Sequence, residues 1–243
     1  DLDDEGAFHK VTGQRIRAVL PMHTFGHPVE LDELVVVCAR WNLVLIEDAA
    51  ESLGSFYKGR HTGTIGQFGA VSFNGNKIIT TGGGGMVLCQ TVELGKHVKH
   101  VTTTAKVPHP FEFFHDEPGF NYRMPNINAA LGCAQIEMIG TFLEQKREIA
   151  KHYGNFFSDT EFKFVKEPEY ARSNYWLNAV ICPSVEARDT LLTETNRAGV
   201  MTRPIWKLLH KLPMFSSAMH GDLSVSETIE ERLVNLPSSP VKV

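Results

Sequence analysis

IEDAAESLGSFYKGRHTGTIGQFGAVSFNGNKIITTGGGG, residues 46–85, decides the fold of this chain. The apolar run Leu43–Ile46 leads into it and is too short for an isolated helix, so we predict a buried parallel strand. Glu47 and Asp48 stand at the end of that strand. Ligands of open α/β sheets bind at the carboxyl ends of strands, which makes Asp48 a candidate site residue. A helix cap or a surface acid is the alternative interpretation.

A lysine follows in a loop between two further predicted strands. These strands are Gly69–Phe73 and Met86–Cys89, and Lys77 lies between them in a glycine-flanked turn. A lysine becomes a nucleophile when desolvation lowers its pKa, and a Schiff base with an aldehyde cofactor is a common use. Most lysines are instead solvated surface charges. The pairing of Asp48 with Lys77 favours pyridoxal phosphate, which needs a lysine for its aldehyde and an acid for its pyridinium nitrogen.

The order of the motifs in this stretch resembles the DegT-type sugar aminotransferases. E-D-A-A-E, G-x-x-G-x-x-G, S-F-x-x-x-K and T-T-G-G-G-G follow one another, and the similarity continues through residues 119–124 and 203–210. The resemblance implies a fold-type-I α/β protein with a mostly parallel sheet flanked by helices and a smaller C-terminal α/β domain. It implies pyridoxal-phosphate-dependent amination of nucleotide-linked keto sugars, with enzymes acting on UDP-linked 4-keto-deoxyhexoses as the nearest group.

The resemblance also assigns roles around the cofactor. Lys77 would hold pyridoxal phosphate as a Schiff base and move protons as general base and acid, and Asp48 would keep the pyridine nitrogen protonated. Glu51 occupies the place where many relatives have Gln near the phenolic oxygen. Ser72 would bind the cofactor phosphate through its hydroxyl. Asn121 matches an asparagine that contacts the cofactor phosphate of the neighbouring subunit, which implies a homodimer with shared sites.

Four further residues are candidate contacts of the substrate. Arg123 would bind a carboxylate or the sugar substrate, with a structural ion pair as the alternative. Trp206 and His210 lie in a loop that faces the nucleotide sugar in the resembled family, and Lys207 there would neutralise a diphosphate. Each of these three is alternatively an ordinary loop residue. His23 and His27 follow a predicted strand, where structural roles are more common than ligand contacts.

The composition of the chain is typical of a globular protein and argues against some classes of partner. The chain has 243 residues, a net charge of −4 and a hydrophobic fraction of 42%. This balance of charge argues against nucleic acid or an anionic membrane as the main partner. The sequence contains no apolar run long enough to span a membrane. Four widely spaced cysteines form no C-x-x-C pair, so we predict buried thiols in a reducing, cytoplasmic compartment and no metal site.

We predict two domains and leave two other functions open. Residues 1–154 would form the cofactor-binding domain and residues 155–243 a small C-terminal domain, with glutamate as the expected amino donor. The resembled proteins are longer, and we find no equivalent of their amino-terminal turn that holds the cofactor phosphate. A catalytically silent partner chain is therefore one alternative. A sugar dehydratase is the other, although such enzymes typically carry His where this chain has Lys77.

Overall fold

The computed structural model describes residues 1–3 and 6–240, and contacts divide the chain into two units. The first comprises residues 1–143 and 167–174, and the second comprises residues 144–166 and 175–243. The division falls within one helix, and the predicted boundary near Gly154 lies further along that same helix. The assignment of the units as a cofactor-binding domain and a small domain stays a prediction.

The chain combines helices with strands, as the predicted α/β class requires. The α-helices of the described residues are α1 Leu31–Arg40, α2 Val92–Thr102, α3 Asn126–Glu137, α4 Ile139–Phe156, α5 Val185–Arg197 and α6 Ser224–Arg232. The strands are β1 Leu2–Asp3, β2 Gly6–Ala7, β3 Ala18–Val19, β4 Val44–Asp48, β5 Phe56–Tyr57, β6 Arg60–His61, β7 Phe68–Ser72, β8 Gly85–Cys89, β9 Lys106–Val107, β10 Phe114–His115, β11 Lys163–Phe164, β12 Ala171–Arg172, β13 Asn178–Ile181, β14 Arg203–Pro204 and β15 Leu233–Leu236. Short 3-10 helices occupy Thr24–Gly26, Leu209–Lys211 and Pro213–Phe215.

The first unit contains a sheet with strand order β3-β4-β7-β8. Strand β4 pairs in parallel with β3 and with β7, whereas β7 and β8 are antiparallel. Helix α1 connects β3 to β4, and its apolar face packs Leu31 and Cys38 against Leu45 of β4 and Tyr57 of β5. Each fully buried apolar side chain of this kind contributes about 1.5–3 kcal/mol to stability. The parallel pairing of β4 with β7 places the carboxyl ends of these two strands side by side.

The loop after α2 contains paired backbone segments. Strands β9 and β10 pair within it, and Thr103 forms an antiparallel bridge with Asn121. The Phe120 amide donates to Val101 O at 2.7 Å, and the Tyr122 amide donates to Thr102 O at 2.9 Å. These bonds attach the far end of the loop to the C-terminal turn of α2, so the segment has a defined path over the unit.

The second unit is built on a sheet of order β11-β13-β15-β14 with antiparallel pairing throughout. Its core contains Val180, Cys182, Val234 and Leu236. Helix α5 ends before Gly199, whose φ of 78° is the left-handed conformation expected of a glycine C-cap. Strand β15 is absent from our sequence-based prediction.

The four cysteines are free, as expected, but their burial varies. Cys38 and Cys182 are buried, Cys89 is partly buried, and Cys133 is exposed on α3. The prediction of four buried thiols is therefore wrong for Cys133. Among the described residues, no helix combines the length and apolar character needed to cross a bilayer.

Candidate active site

The lysine and the acids predicted from the sequence meet in the first unit. Lys77 Nζ lies 3.9 Å from Glu51 Oε1, and the two side chains are 13% and 10% exposed. Burial lowers the pKa of the Lys77 ammonium, while the carboxylates of Glu51 and Asp48 oppose this effect by Coulombic attraction. Burial likewise raises the pKa of Glu51, against the Phe25 amide and the charge of Lys77. The outcome is a shielded amine whose protonation depends on two neighbouring carboxylates.

Two adjacent acids on β4 have different environments because side chains alternate across a strand. Asp48 is half-buried, and its Oδ1 accepts a hydrogen bond from the Ala50 amide at 3.1 Å. Glu47 is fully buried and lies within hydrogen-bonding distance of His23 Nε2, at 3.0 Å. Asp48 is thus the acid of the pair that shares the surroundings of Lys77.

The Glu47 carboxylate accepts hydrogen bonds from the glycine-containing loop that precedes β7. It accepts the amide of Gly63 at 2.8 Å and the amides of Ile65 and Gly66 at 2.7 Å each. Burial raises the pKa of Glu47, but the bonds from His23 and these amides outweigh burial and leave the pKa below its ordinary value. The spaced glycines therefore wrap a buried carboxylate, and His23 has a structural role here.

The loop that carries Lys77 is anchored at both sides. The Phe73 amide donates to Gly84 O at 2.9 Å, and the Lys77 amide donates to Asn74 O at 3.0 Å. From α3, the Gln135 side chain accepts the Thr80 amide at 3.1 Å. Ile78 and Ile79, which follow Lys77, are buried. This support fixes the backbone that presents the lysine, and the sequence patterns did not reveal the contribution of α3.

Phe25 is a site residue that sequence reasoning missed. Its amide donates to Glu51 Oε2 at 2.8 Å, and its backbone has a φ of 59°, which is rare for a bulky residue. Such a conformation costs on the order of 1–3 kcal/mol and is found where surrounding structure enforces it. Gly26 follows it in close contact with the chain, since an added Cβ would lie 1.8 Å from Asn174 Oδ1. The adjacent F-G pair is a weak signal that gives no indication of this contact.

The remaining predicted residues of the first unit lie on its surface grooves. Ser72 ends β7, and its hydroxyl accepts the Asn74 amide at 3.3 Å. Ser72 and Arg123 line one groove together with Gly84 and Asn128. Arg123 also lines a second cavity, with Asn121 and basic residues including Lys106. Asn121 and Arg123 are both exposed.

The three predicted substrate residues of the second unit each contact a neighbour there. Trp206 stacks on Trp176 with ring centroids 6.2 Å apart. Lys207 Nζ lies 2.8 Å from the buried Glu230, and His210 Nε2 lies 3.0 Å from Glu227. Both acids belong to α6. These contacts orient the three side chains, and their roles as substrate ligands stay predictions.

The chain is similar in sequence and in fold to known aminotransferases. The chain is 36% identical over 231 residues to a GDP-perosamine synthase of Escherichia coli O157:H7, covering 95% of this chain and 62% of that protein. A solved aminotransferase, TlmJ from Streptoalloteichus hindustanus, superposes with a TM-score of 0.88 at 26% identity, covering 96% of this chain and 64% of that one. A second solved aminotransferase, from Brucella abortus, superposes with a TM-score of 0.87 at 25% identity. The match covers 94% of this chain and 61% of that one.

The match to the family is nearly continuous along the chain. The sequence profile of the DegT/DnrJ/EryC1/StrS aminotransferases matches residues 2–241. The chain spans about three fifths of the length of the curated relatives it matches. The predicted fold type I is confirmed by the superposed aminotransferases. The chain belongs to the DegT/DnrJ/EryC1/StrS aminotransferase family.

Proposed function

We propose that this protein transfers an amino group from an amino acid, with glutamate as the expected donor, to a nucleotide-linked keto sugar, using pyridoxal phosphate. The observation that carries the proposal is the shielded Lys77 amine beside Glu51 and Asp48. The amino sugar formed would enter polysaccharide or related biosynthesis. A relative named GDP-perosamine synthase supports the sugar class.

The residues present fit the cofactor. An amine whose pKa is lowered by burial is suited to react with an aldehyde, and Asp48 is a carboxylate at a strand end beside it. Ser72 and Arg123 offer a hydroxyl and a guanidinium along one groove, which suits a phosphate. Pyridoxal phosphate, when bound, supplies an aldehyde and an electron-accepting pyridine ring.

Each candidate site residue would then have a defined role in the reaction. Asp48 would hold a proton on the pyridine nitrogen through its carboxylate. Lys77 Nζ would hold the aldehyde and, as a free amine, would move a proton at the donor Cα as base and acid. Glu51, fixed by the Phe25 amide, sets the protonation of Lys77 through its charge. Arg123, Trp206, Lys207 and His210 would bind the substrate.

A homodimer with shared sites belongs to the same proposal. Asn121 would reach the cofactor phosphate of the neighbouring subunit from the loop after α2. This loop exposes several large side chains, with Phe111 and Phe113 each 81% exposed and Tyr122 72% exposed. Apolar surface of this kind marks protein interfaces. The expected cytoplasmic location is also part of the proposal and is supported by the free cysteines.

The test is the position at which the cofactor attaches. We expect borohydride reduction of the chain with pyridoxal phosphate to label the peptide containing Lys77, and Lys77→Arg to abolish that label. Lys96→Arg, at an exposed position of α2, is the matched control and should keep it. In turnover with glutamate and GDP-, UDP- or dTDP-linked keto sugars, Lys77→Ala should lower the rate by at least about 100-fold.

Other outcomes separate the alternatives. Label spread over surface lysines, or no label at all, would contradict the cofactor assignment and favour the silent partner chain. Label on Lys77 with loss of a sugar hydroxyl and no amino product would favour the dehydratase.

A further inference from the structure

A second group of chemically active side chains lies away from Lys77 on the outer surface of the first unit. We define the α2 cluster as His97, His100, Asp116 and Glu117. The two histidines are three positions apart on α2 and so share one face of the helix. The two acids directly follow β10 in the loop after α2. The cluster joins two segments and plays no part in the proposed transamination.

The spacing of the cluster suits a small cation. Atoms of His100, Asp116 and Glu117 that can act as ligands all lie within 4.8 Å of one another. His100 Nε2 lies 2.7 Å from Asp116 Oδ1 and 3.7 Å from Glu117 Oε1. Ligands about 2.0–2.1 Å from a tetrahedral zinc ion lie roughly 3.3 Å apart, between these two distances. His97 Nδ1 lies 3.6 Å from Glu117 Oε1, at the edge of this group of three.

The chemistry and charge of the cluster indicate the class of ion. Imidazole with carboxylate favours divalent transition metals, whereas calcium and magnesium favour oxygen ligands. Two carboxylates balance the charge of one divalent ion. The side chain of His100 is 27% exposed and that of Glu117 is 36% exposed, which leaves access from solvent.

We propose that the α2 cluster binds one divalent transition-metal ion, with zinc as the representative. Asp116 and Glu117 lie a few residues before Asn121 and Arg123, so the ion would fasten this part of the loop to α2. The expectation of no metal site came from the cysteines alone and did not consider residues brought together across this loop.

The alternative is that these side chains only form ion pairs with protonated histidines. Such exposed pairs are worth about 0–1 kcal/mol and need no metal. A metal site differs in its stoichiometry and in its loss when a single ligand is removed, and both properties can be measured without turnover or pyridoxal phosphate.

The decisive experiment is calorimetric titration of the chain, free of any affinity tag, with ZnCl₂ at neutral pH. We expect one ion per chain, and at least about a tenfold weaker affinity in His100→Asn and in Asp116→Asn. The matched control is His109→Asn, because His109 pairs with Glu112 at 3.9 Å in the same loop but lies outside the cluster. This control should keep the parent affinity. Circular dichroism verifies that each variant is folded.

A second measurement uses the parent chain alone. Co²⁺ should give visible d–d bands without thiolate charge transfer, since the proposed ligands contain no sulfur. The proposal is overturned by the absence of saturable binding, by parent affinity in both His100→Asn and Asp116→Asn, or by a thiolate band that assigns the ion to a cysteine such as exposed Cys133.

Discussion

At the scale of single residues, the protonation of Lys77 is the property on which the proposed chemistry depends. Burial favours the neutral amine, and Glu51 and Asp48 favour the ammonium. Glu51 is itself held by the backbone of Phe25. Because the lysine must be neutral to react with an aldehyde, the charge at position 51 controls how much reactive amine is present at a given pH.

Glu51→Gln is therefore expected to lower the pKa of Lys77 further. The substitution removes an attractive negative charge 3.9 Å from Nζ and leaves burial in place. The pH profile of Lys77 labelling by pyridoxal phosphate and borohydride should shift to lower pH. Glu33→Gln, at an exposed position of α1, is the control and should leave the profile unchanged. A profile identical in Glu51→Gln and the parent would show that Glu51 does not act on this lysine.

Much of this site was predictable at the residue scale, and the reason is local. Lys77 and Asp48 were recognisable because both end predicted strands or the turns beside them, where side chains meet ligands. Phe25 was not, because a left-handed conformation in a non-glycine residue leaves no pattern in the sequence. Trp206, Lys207 and His210 were predicted from resemblance, but the acids of α6 beside Lys207 and His210 could not be foreseen from separate segments of sequence.

At the scale of elements, the glycine loop and β4 form one structural unit. An added Cβ at Gly66 would lie 2.6 Å from Leu45 O, and one at Gly69 would lie 2.1 Å from Gly63 O. These contacts, together with the bonds to Glu47, explain the spaced glycines by backbone packing. The spacing alone cannot distinguish this arrangement from a phosphate-binding loop, which also needs glycines for close approach.

Gly69→Ala is expected to lower the free energy of unfolding by about 1–3 kcal/mol, because backbone atoms on β7 and the glycine loop must separate. Gly75→Ala is the matched control, since an added Cβ there meets nothing within 4 Å. It should change stability by less than about 0.5 kcal/mol. Urea denaturation of the parent and both variants checks this. Equal midpoints for Gly69→Ala and the parent would contradict the close packing.

Element boundaries were predicted well where periodicity is strong. Strands β4, β7 and β8 lie within a residue or two of their predicted ends. The division between units was harder to foresee, because it falls inside α4, where the helical pattern continues without interruption. Strand β15 was missed since its four residues, Leu233–Leu236, directly follow a helix without a turn signal.

At the scale of the whole molecule, the proposed homodimer makes a quantitative prediction. If Lys77 and Asn121 of one site come from different subunits, Lys77→Ala and Asn121→Ala chains should complement each other when unfolded together and refolded in equal amounts. Half of the dimers would be hybrids with one intact site, so about a quarter of the parent activity should return. Each variant alone should show far less.

The measurement is amino-sugar formation after mixing, with refolded parent chain as the reference. A mixture of Lys77→Ala and Lys77→Arg chains, refolded in the same way, is the control and should regain no activity. Failure of the Asn121 mixture to regain activity, with both chains folded and associated, would place Asn121 outside the neighbouring site.

The register of β4 decides which partner each of its two adjacent acids can reach. Glu47 serves the glycine loop and Asp48 serves the lysine only because each occupies its own face of the pleat. Deleting one residue from Leu43–Leu45 would exchange the faces and send the shorter aspartate towards amides that the longer glutamate now reaches. Insertions and deletions before Glu47 should therefore be tolerated less well than conservative apolar substitutions in the same run.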